Sequence, residues 1–344
     1  MTLLGDRLVE GVGPNELLPG EVFVKETRTE HTFSGHSYER KFVAVGDVSD
    51  PIERLRLNNH LQLLDEMVNN NHDWPIPVEG ISNPASDIFY ENHLDDTTMQ
   101  FWRDNHMPNA EALYCLQRLD DAGRLFPDGK IDAHARDIFT NAIDSIAIRA
   151  RGSIHNGLLL KKAAEFGGSE LTALALGAGA GVPNIDATVQ VRDQYGKRIR
   201  WEEYDLSYKS LELNKELFNE AAISEDDVKT YRADYAKAFR LNDESVDIID
   251  MLGLWEYLSR ERCVKGVKEF HRILKPGGIL VISNMLSDRP QLGVNQKVIG
   301  WQGVKPRSID ELVDIAVEAE IDPETITITT SEDNVYAVME ITKL

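Results

Sequence analysis

The stretch Leu174-Ala175-Leu176-Gly177-Ala178-Gly179-Ala180-Gly181 limits what this chain can become more than any other. An apolar run that reads as a buried strand breaks directly into three glycines at alternate positions. Glycine lacks a Cβ and accepts positive φ, so a backbone of this kind can turn sharply and come close to a ligand. The spacing excludes two familiar loops. The dinucleotide fingerprint needs G-x-G-x-x-G, but Val182 holds the third glycine position when counted from Gly177, and Asn184 holds it when counted from Gly179. A phosphate-cradling loop would close on Gly-Lys-Ser/Thr, which is absent.

Downstream, strands and helices alternate. Pro183 suits the first turn of a helix that Gly196 would end. Arg198 to Tyr204 reads as a second strand with Asp205 at its end; a carboxylate there can accept from both hydroxyls of a ribose, or can cap the helix that starts near Ser207. Val228 to Ala233 is a third strand, ending at Asp234-Tyr235. Val246 to Met251 is a fourth, apolar at its centre as buried parallel strands are. A helix over Arg260 to Ile273 leads to the turn signal Pro276-Gly277-Gly278 and a fifth strand, Ile279 to Ser283. Ser308 and Glu311 form a capping box, and two β-rich runs, Thr325 to Thr330 and Val335 to Thr342, read as a closing hairpin. Such alternation implies a parallel sheet whose ligand lies beyond the carboxyl ends of its strands.

Taken together, these landmarks resemble the class I S-adenosylmethionine-dependent methyltransferases: Gly177-x-Gly179-x-Gly181, Asp205 after the second strand, Ala233-Asp234 after the third, Val246-Asp247-Ile248-Ile249, and Arg272-Ile273-Leu274-Lys275-Pro276-Gly277-Gly278. The resemblance implies an α/β fold, a Rossmann-like seven-stranded, mostly parallel sheet with an antiparallel C-terminal hairpin strand, over residues 151–344. It implies S-adenosylmethionine as cofactor. Gly177, Gly179 and Gly181 would lie under its methionine and ribose parts, Asp205 would hold the ribose hydroxyls, and Asp234 would accept from the adenine amine. Leu206 or Tyr235 would pack on the base, and Met251 would border the site. One departure is plain: the family carries an acid two residues before the first glycine, and this chain has Ala175.

Residues 1–150 are expected to form a mainly helical substrate or lid region, in which Val22 to Lys25 and Lys41 to Val45 make either a small appended β-hairpin or an arm that packs on the second domain. Helices are expected at Ile52 to Val68, Thr97 to Asn105, Asn109 to Arg124 and Ala133 to Arg151, with a break at Gly152-Ser153 before a further helix through Phe166. Tyr90, His93, Trp102, His106 and Tyr114 could wall a substrate, although packing is the commoner use of such residues. Arg149 and Arg151 precede the first strand, and a cation there could meet the cofactor carboxylate.

The chain of 344 residues carries a formal net charge of −21, a field that repels phosphate backbones and argues against nucleic acid as a partner. No apolar run approaches the ~18 residues of a membrane span, and Met1 to Gly20 shows no secretory signal. Two separated cysteines, Cys115 and Cys263, with no metal-like flanks point to no metal site and to a reducing cytoplasm. The expected partners are a small-molecule methyl acceptor and, in a homodimer, a second copy of the chain. Methyl transfer needs a base only if the acceptor must lose a proton; Glu256 and Tyr257 follow the fourth strand and are the candidates. The Asn/Asp-Pro-Pro-Tyr/Phe and Pro-Cys motifs of nucleobase methyltransferases are absent, which leaves small-molecule oxygen or nitrogen acceptors. Transfer of the aminocarboxypropyl or aminopropyl part of the cofactor, and a non-catalytic binding role, are the alternatives.

Overall fold

The computed structural model describes residues 17–78, 80–95 and 97–344; most of the stretch read as lacking a secretory signal, residues 1–16, lies outside these. The chain divides into two compact units. The first comprises residues up to Gly46, Ala150–Leu286 and Lys305–Leu344; the second comprises Asp47–Arg149 and Ser287–Val304.

The first unit is a nine-stranded sheet: β1 (Val22–His31), β2 (Ser37–Val45), β3 (Glu170–Leu176), β4 (Arg198–Asp205), β5 (Val228–Arg232), β6 (Val246–Met251), β7 (Leu274–Met285), β8 (Ile326–Ser331) and β9 (Tyr336–Thr342). Their order is β1-β2-β8-β9-β7-β6-β3-β4-β5. Strands β3 to β9 are the expected seven. Those from β3 to β7 pair in parallel, and β9 runs antiparallel to both β7 and β8. Succession runs outward from β3 through β4 to β5 on one side, and from β6 to β7 on the other. The order therefore reverses between β3 and β6, the point at which sheets of this kind bind ligands beyond their carboxyl ends.

Of the two readings of the N-terminal β runs, the arm on the second domain is the one the structure shows. β2 pairs in parallel with β8 and β1 closes the edge, so residues 22–45 belong to the sheet. Glu26, Arg28 and Glu30 on β1 give that edge the charge that discourages further strand pairing. Pro276 and Gly277 also sit differently from expectation. They form a bulge inside β7 rather than a turn before it: Leu274 already pairs with Val246, and the register then shifts to Ile279 opposite Ile248.

One sheet face carries the main core, in which Leu174, Leu176, Ile249, Met251, Leu280 and Ile282 meet α9 (Arg260–Ile273) and α10 (Ile309–Glu318). α10 starts on the full capping box of Ser308 and Glu311. On the glycine side of β3, α7 (Val182–Tyr195) runs between Gly181 and Gly196, both at positive φ, and α8 (Tyr208–Glu220) starts on Ser207. α6 (Ile143–Glu165) is continuous through Gly152; the expected break falls earlier, at the extended Ala142, where α5 (Ala133–Asn141) ends. A Cβ at Gly152 would meet Pro183 at 3.7 Å, so that glycine allows close helix approach and does not end a helix.

The second unit holds α1 (Pro51–Asn70), α2 (Pro84–Phe89), α3 (Thr98–Asn105), α4 (Ala110–Gln117) and α5, together with residues 287–304, which include a π-helical turn at Val294–Ile299. Asp50, Asn83, Thr97 and Asp132 cap four of these helices. Arg149 ties the unit together. It bonds both oxygens of Asp47 at 2.6 and 2.8 Å and donates to the carbonyls of Leu116, Phe139 and Thr140. No described helix is long and apolar enough to cross a membrane.

Candidate functional site

The site is built from the loop that follows β3. Gly177, Gly179 and Gly181 all have positive φ, at 71°, 56° and 68°. The loop is locked to the end of β4: Gly177 and Ala178 both donate to the Tyr204 carbonyl, at 2.8 and 3.1 Å. Asp205 then takes the Gly179 N–H on Oδ2 at 2.9 Å and the Ser207 N–H on Oδ1 at 2.8 Å. The two readings of Asp205 thus merge, since Ser207 caps α8 and Asp205 braces both loops. A carboxylate has about four acceptor sites, so two backbone bonds leave capacity for ribose hydroxyls. Leu206 follows with 64% of its surface exposed, an apolar side chain held in the open beside that carboxylate. Asp234 caps the turn after β5 through Ala236 N and faces Arg262 at 3.5 Å, with half its side chain in solvent.

Other expected residues lie elsewhere. Tyr235 is buried against Phe239 and Phe270, with its hydroxyl bonded by Arg262 at 3.1 Å, so its ring has no free face for a base. Met251 points into the core and is fully covered. Arg151 is buried and donates to the Leu252 carbonyl at 2.9 Å and to Ser283, with Tyr336 beneath its guanidinium; it fixes the end of β6. Glu256 is buried and accepts from Met285 N at 3.1 Å, which joins the post-β6 turn to β7. The Tyr257 carbonyl accepts from Lys305 Nζ at 2.6 Å. In the helical unit Tyr90, Trp102 and His106 bond backbone carbonyls, of Ile299, Ala112 and Leu125 respectively, and Tyr114 bonds Asp121; they act as packing. His93 lines a cleft of that unit with His60 and His134.

A buried polar cluster that the sequence does not announce lies around Ala175. Ala175 pairs with Glu203 on β4 and with Asp250 on β6, so the three side chains share one face of the sheet. His155 on α6 places Nε2 3.7 Å from Asp250 Oδ2 and finds no hydrogen-bond partner for that nitrogen. Glu203 accepts from Asn184 at 3.3 Å and from Asn214. Burial dominates the titration of all three ionisable groups. It raises the Glu203 carboxyl to about 7 against the two asparagines, and raises Asp250 against the pull of His155, Asn184 and the Leu252 amide. His155 is held below its usual value, and hence neutral, because burial outweighs the attraction of Asp250. Only strand register could have revealed this group, because its members come from five separate elements.

Residues 174–282 match a family model described as a methyltransferase domain. They form a class I S-adenosylmethionine-dependent methyltransferase domain. S-adenosylmethionine is the cofactor of that domain. No curated protein matches the sequence. Among solved structures, a Bordetella parapertussis protein described as a possible exported protein is similar at 15% identity, covering 85% of this chain and 96% of its own, with a TM-score of 0.59; it shares the fold. Magnesium protoporphyrin IX methyltransferase from Synechocystis is similar at 12% identity over 70% of this chain and 100% of its own, with a TM-score of 0.44. A Burkholderia thailandensis 1,6-didemethyltoxoflavin-N1-methyltransferase is similar at 16% identity over 56% and 78%, with a TM-score of 0.40.

Proposed function

We propose that this chain transfers the methyl group of S-adenosylmethionine to an oxygen or nitrogen atom of a small molecule. The observation that carries the cofactor part is the clasp of Asp205 on Gly179, which joins a carboxylate to the loop of positive-φ glycines after β3. The residues fit the group. Asp205 has acceptor capacity for the ribose, exposed Leu206 offers an apolar surface for the base, and half-exposed Asp234 can accept from the adenine amine. A Cβ on Gly253, after β6, would meet nothing within 4 Å, so the backbone there borders open space.

When bound, the cofactor supplies a sulfonium methyl group that a nucleophile can displace directly. The protein contributes position and orientation. Glu256 is engaged with the backbone of Met285 and is not assigned as a base. The acceptor that suits this arrangement is a carboxylate or neutral amine, which needs no protein base to react. The net charge of −21 supports a small molecule over a nucleic acid. The two cysteines, both free and buried, support a reducing cytoplasmic location.

Calorimetric titration with S-adenosylmethionine and S-adenosylhomocysteine tests the cofactor. Micromolar binding is expected, and a folded protein that binds neither refutes the reading. Turnover with an accepted substrate should release S-adenosylhomocysteine; methylthioadenosine instead would reassign the chain to transfer of the aminocarboxypropyl or aminopropyl group.

A further inference from the structure

The loop that follows β6, residues 252–258, is held through its carbonyls by donors from outside the loop. The Leu252 carbonyl accepts from Arg151 at 2.9 Å and from Ser283. The Glu256 carbonyl accepts from Lys305 N at 2.7 Å, and the Tyr257 carbonyl from Lys305 Nζ at 2.6 Å. The carbonyls of Trp255 and Leu258 accept from Arg307, through Nη1 at 3.3 Å and Nη2 at 2.6 Å. Arg307 Nη1 also donates to Asn284 Oδ1 at 2.6 Å, and its backbone N–H donates to the Met285 carbonyl at 3.0 Å. The residue is 7% exposed. One buried guanidinium thus joins both ends of the turn Trp255–Tyr257 to the end of β7. A planar fork of donors holds several oxygens at fixed angles, which an ammonium on a flexible stem does not.

The same loop bears on the first glycine of the site. Leu254 precedes the turn that Arg307 holds, and its partly buried side chain packs against the main core. A Cβ on Gly177 would lie 2.8 Å from the Leu254 Cβ, so Leu254 rests directly on the Gly177 backbone and only a glycine admits it there. Gly177 is also tied to β4, where its N–H donates to the Tyr204 carbonyl. Packed interiors transmit displacement, so a shift of residues 252–258 reaches the glycine loop by contact. Arg307 itself bonds Trp255, Leu258, Asn284 and Met285, and none of its bonds goes to the glycine loop. Its route to that loop is Leu254.

We propose that Arg307 is a positioning residue for the methyl transfer, holding the post-β6 loop so that Leu254 keeps the glycine loop in its cofactor-binding conformation. This rests on the cofactor reading above.

The test is a double-mutant cycle on the full-length protein, with S-adenosylhomocysteine affinity read by calorimetric titration and folding by urea unfolding. Arg307→Met and Leu254→Ala are each expected to raise Kd about tenfold. The double variant should stay within about threefold of the weaker-binding single variant, because the two residues act in series. A residue that serves stability alone would lower the unfolding midpoint and leave the Kd of the folded protein unchanged. Wild-type Kd in folded Arg307→Met, or losses that multiply to about a hundredfold in the double variant, would overturn the proposal. A wild type that binds no S-adenosylhomocysteine would instead refute the cofactor reading. If Arg307→Met does not fold, Arg307→Lys, which keeps the charge without the fork, takes its place in the cycle with the same expectation. Leu254→Ala, at a partly buried position, also decides alone, since wild-type affinity there removes the route to the glycine loop.

Discussion

Replacing Asp205 by alanine probes the centre of the site, and its magnitude can be worked from the bonds the carboxylate makes. Two backbone amides, Gly179 N–H at 2.9 Å and Ser207 N–H at 2.8 Å, lose their acceptor. Both bonds are partly exposed, so water can replace the carboxylate, and the expected destabilisation is about 1 kcal/mol. Binding suffers more. A hydrogen bond to a charged group contributes about 1.5–3 kcal/mol, which at ~1.4 kcal/mol per tenfold corresponds to a rise in Kd of roughly ten- to a hundredfold. Thermal unfolding monitored by circular dichroism would report the first effect and calorimetric titration the second. Methylthioadenosine and S-adenosylhomocysteine carry the same ribose, so both should weaken alike. A folded Asp205→Ala protein with unchanged affinity for either ligand would remove Asp205 from the ribose role and with it the main support for the cofactor geometry.

Further expectations follow from the same structure. Glu203 has a folded-state pKa of about 7 against an ordinary 4.5, so the native state holds a proton that the unfolded chain has lost, and stability falls as pH rises from about 4.5 through 7. At ~1.4 kcal/mol per unit the effect is on the order of 3 kcal/mol; Glu203→Gln should flatten the pH dependence of urea unfolding across that window, and an unchanged slope would show that Glu203 is not its source. Arg149→Ala leaves Asp47 buried without its partner, and a loss of about 3–5 kcal/mol is expected, read as a lowered Tm. Gly181→Ala places a Cβ 2.4 Å from Asn214 Nδ2 at φ +68°, which disturbs the partner of Glu203; a destabilisation of about 1–3 kcal/mol is expected, and a wild-type Tm would refute it. Tyr235→Phe should leave cofactor affinity within twofold of wild type, because the ring belongs to the core; a large loss in titration would return Tyr235 to the site.

The sequence by itself determined the local grammar of the chain. Strand periodicity, the Gly177–Gly181 junction, the Ser308–Glu311 capping box and the acids at strand ends are short-range features, and their order set out the seven central strands and the carboxyl-end side for a ligand. The tertiary structure alone decided what depends on distant partners. Residues 22–45 joined the sheet because β8 presents an edge nearly 290 residues away in the chain, Thr327 to Ser331 opposite Glu39 to Val43. Met251 turned inward because successive residues on a strand face opposite ways, Tyr235 because Phe239 and Phe270 enclose its ring, and Arg151 because its helix α6 directs it to the Leu252 carbonyl. Residues 287–304 went to the helical unit, where Gly293 packs against Asp65 and Val68. The cluster of His155, Asn184, Glu203, Asn214 and Asp250 around Ala175 exists only because strand register aligns β4 and β6 on β3 and three helices, α6, α7 and α8, bring their side chains to that face. A one-residue slip would send Glu203 and Asp250 to the opposite side of the sheet. Local sequence can nominate an acid for a strand end, but only register decides which acid stands beside Ala175.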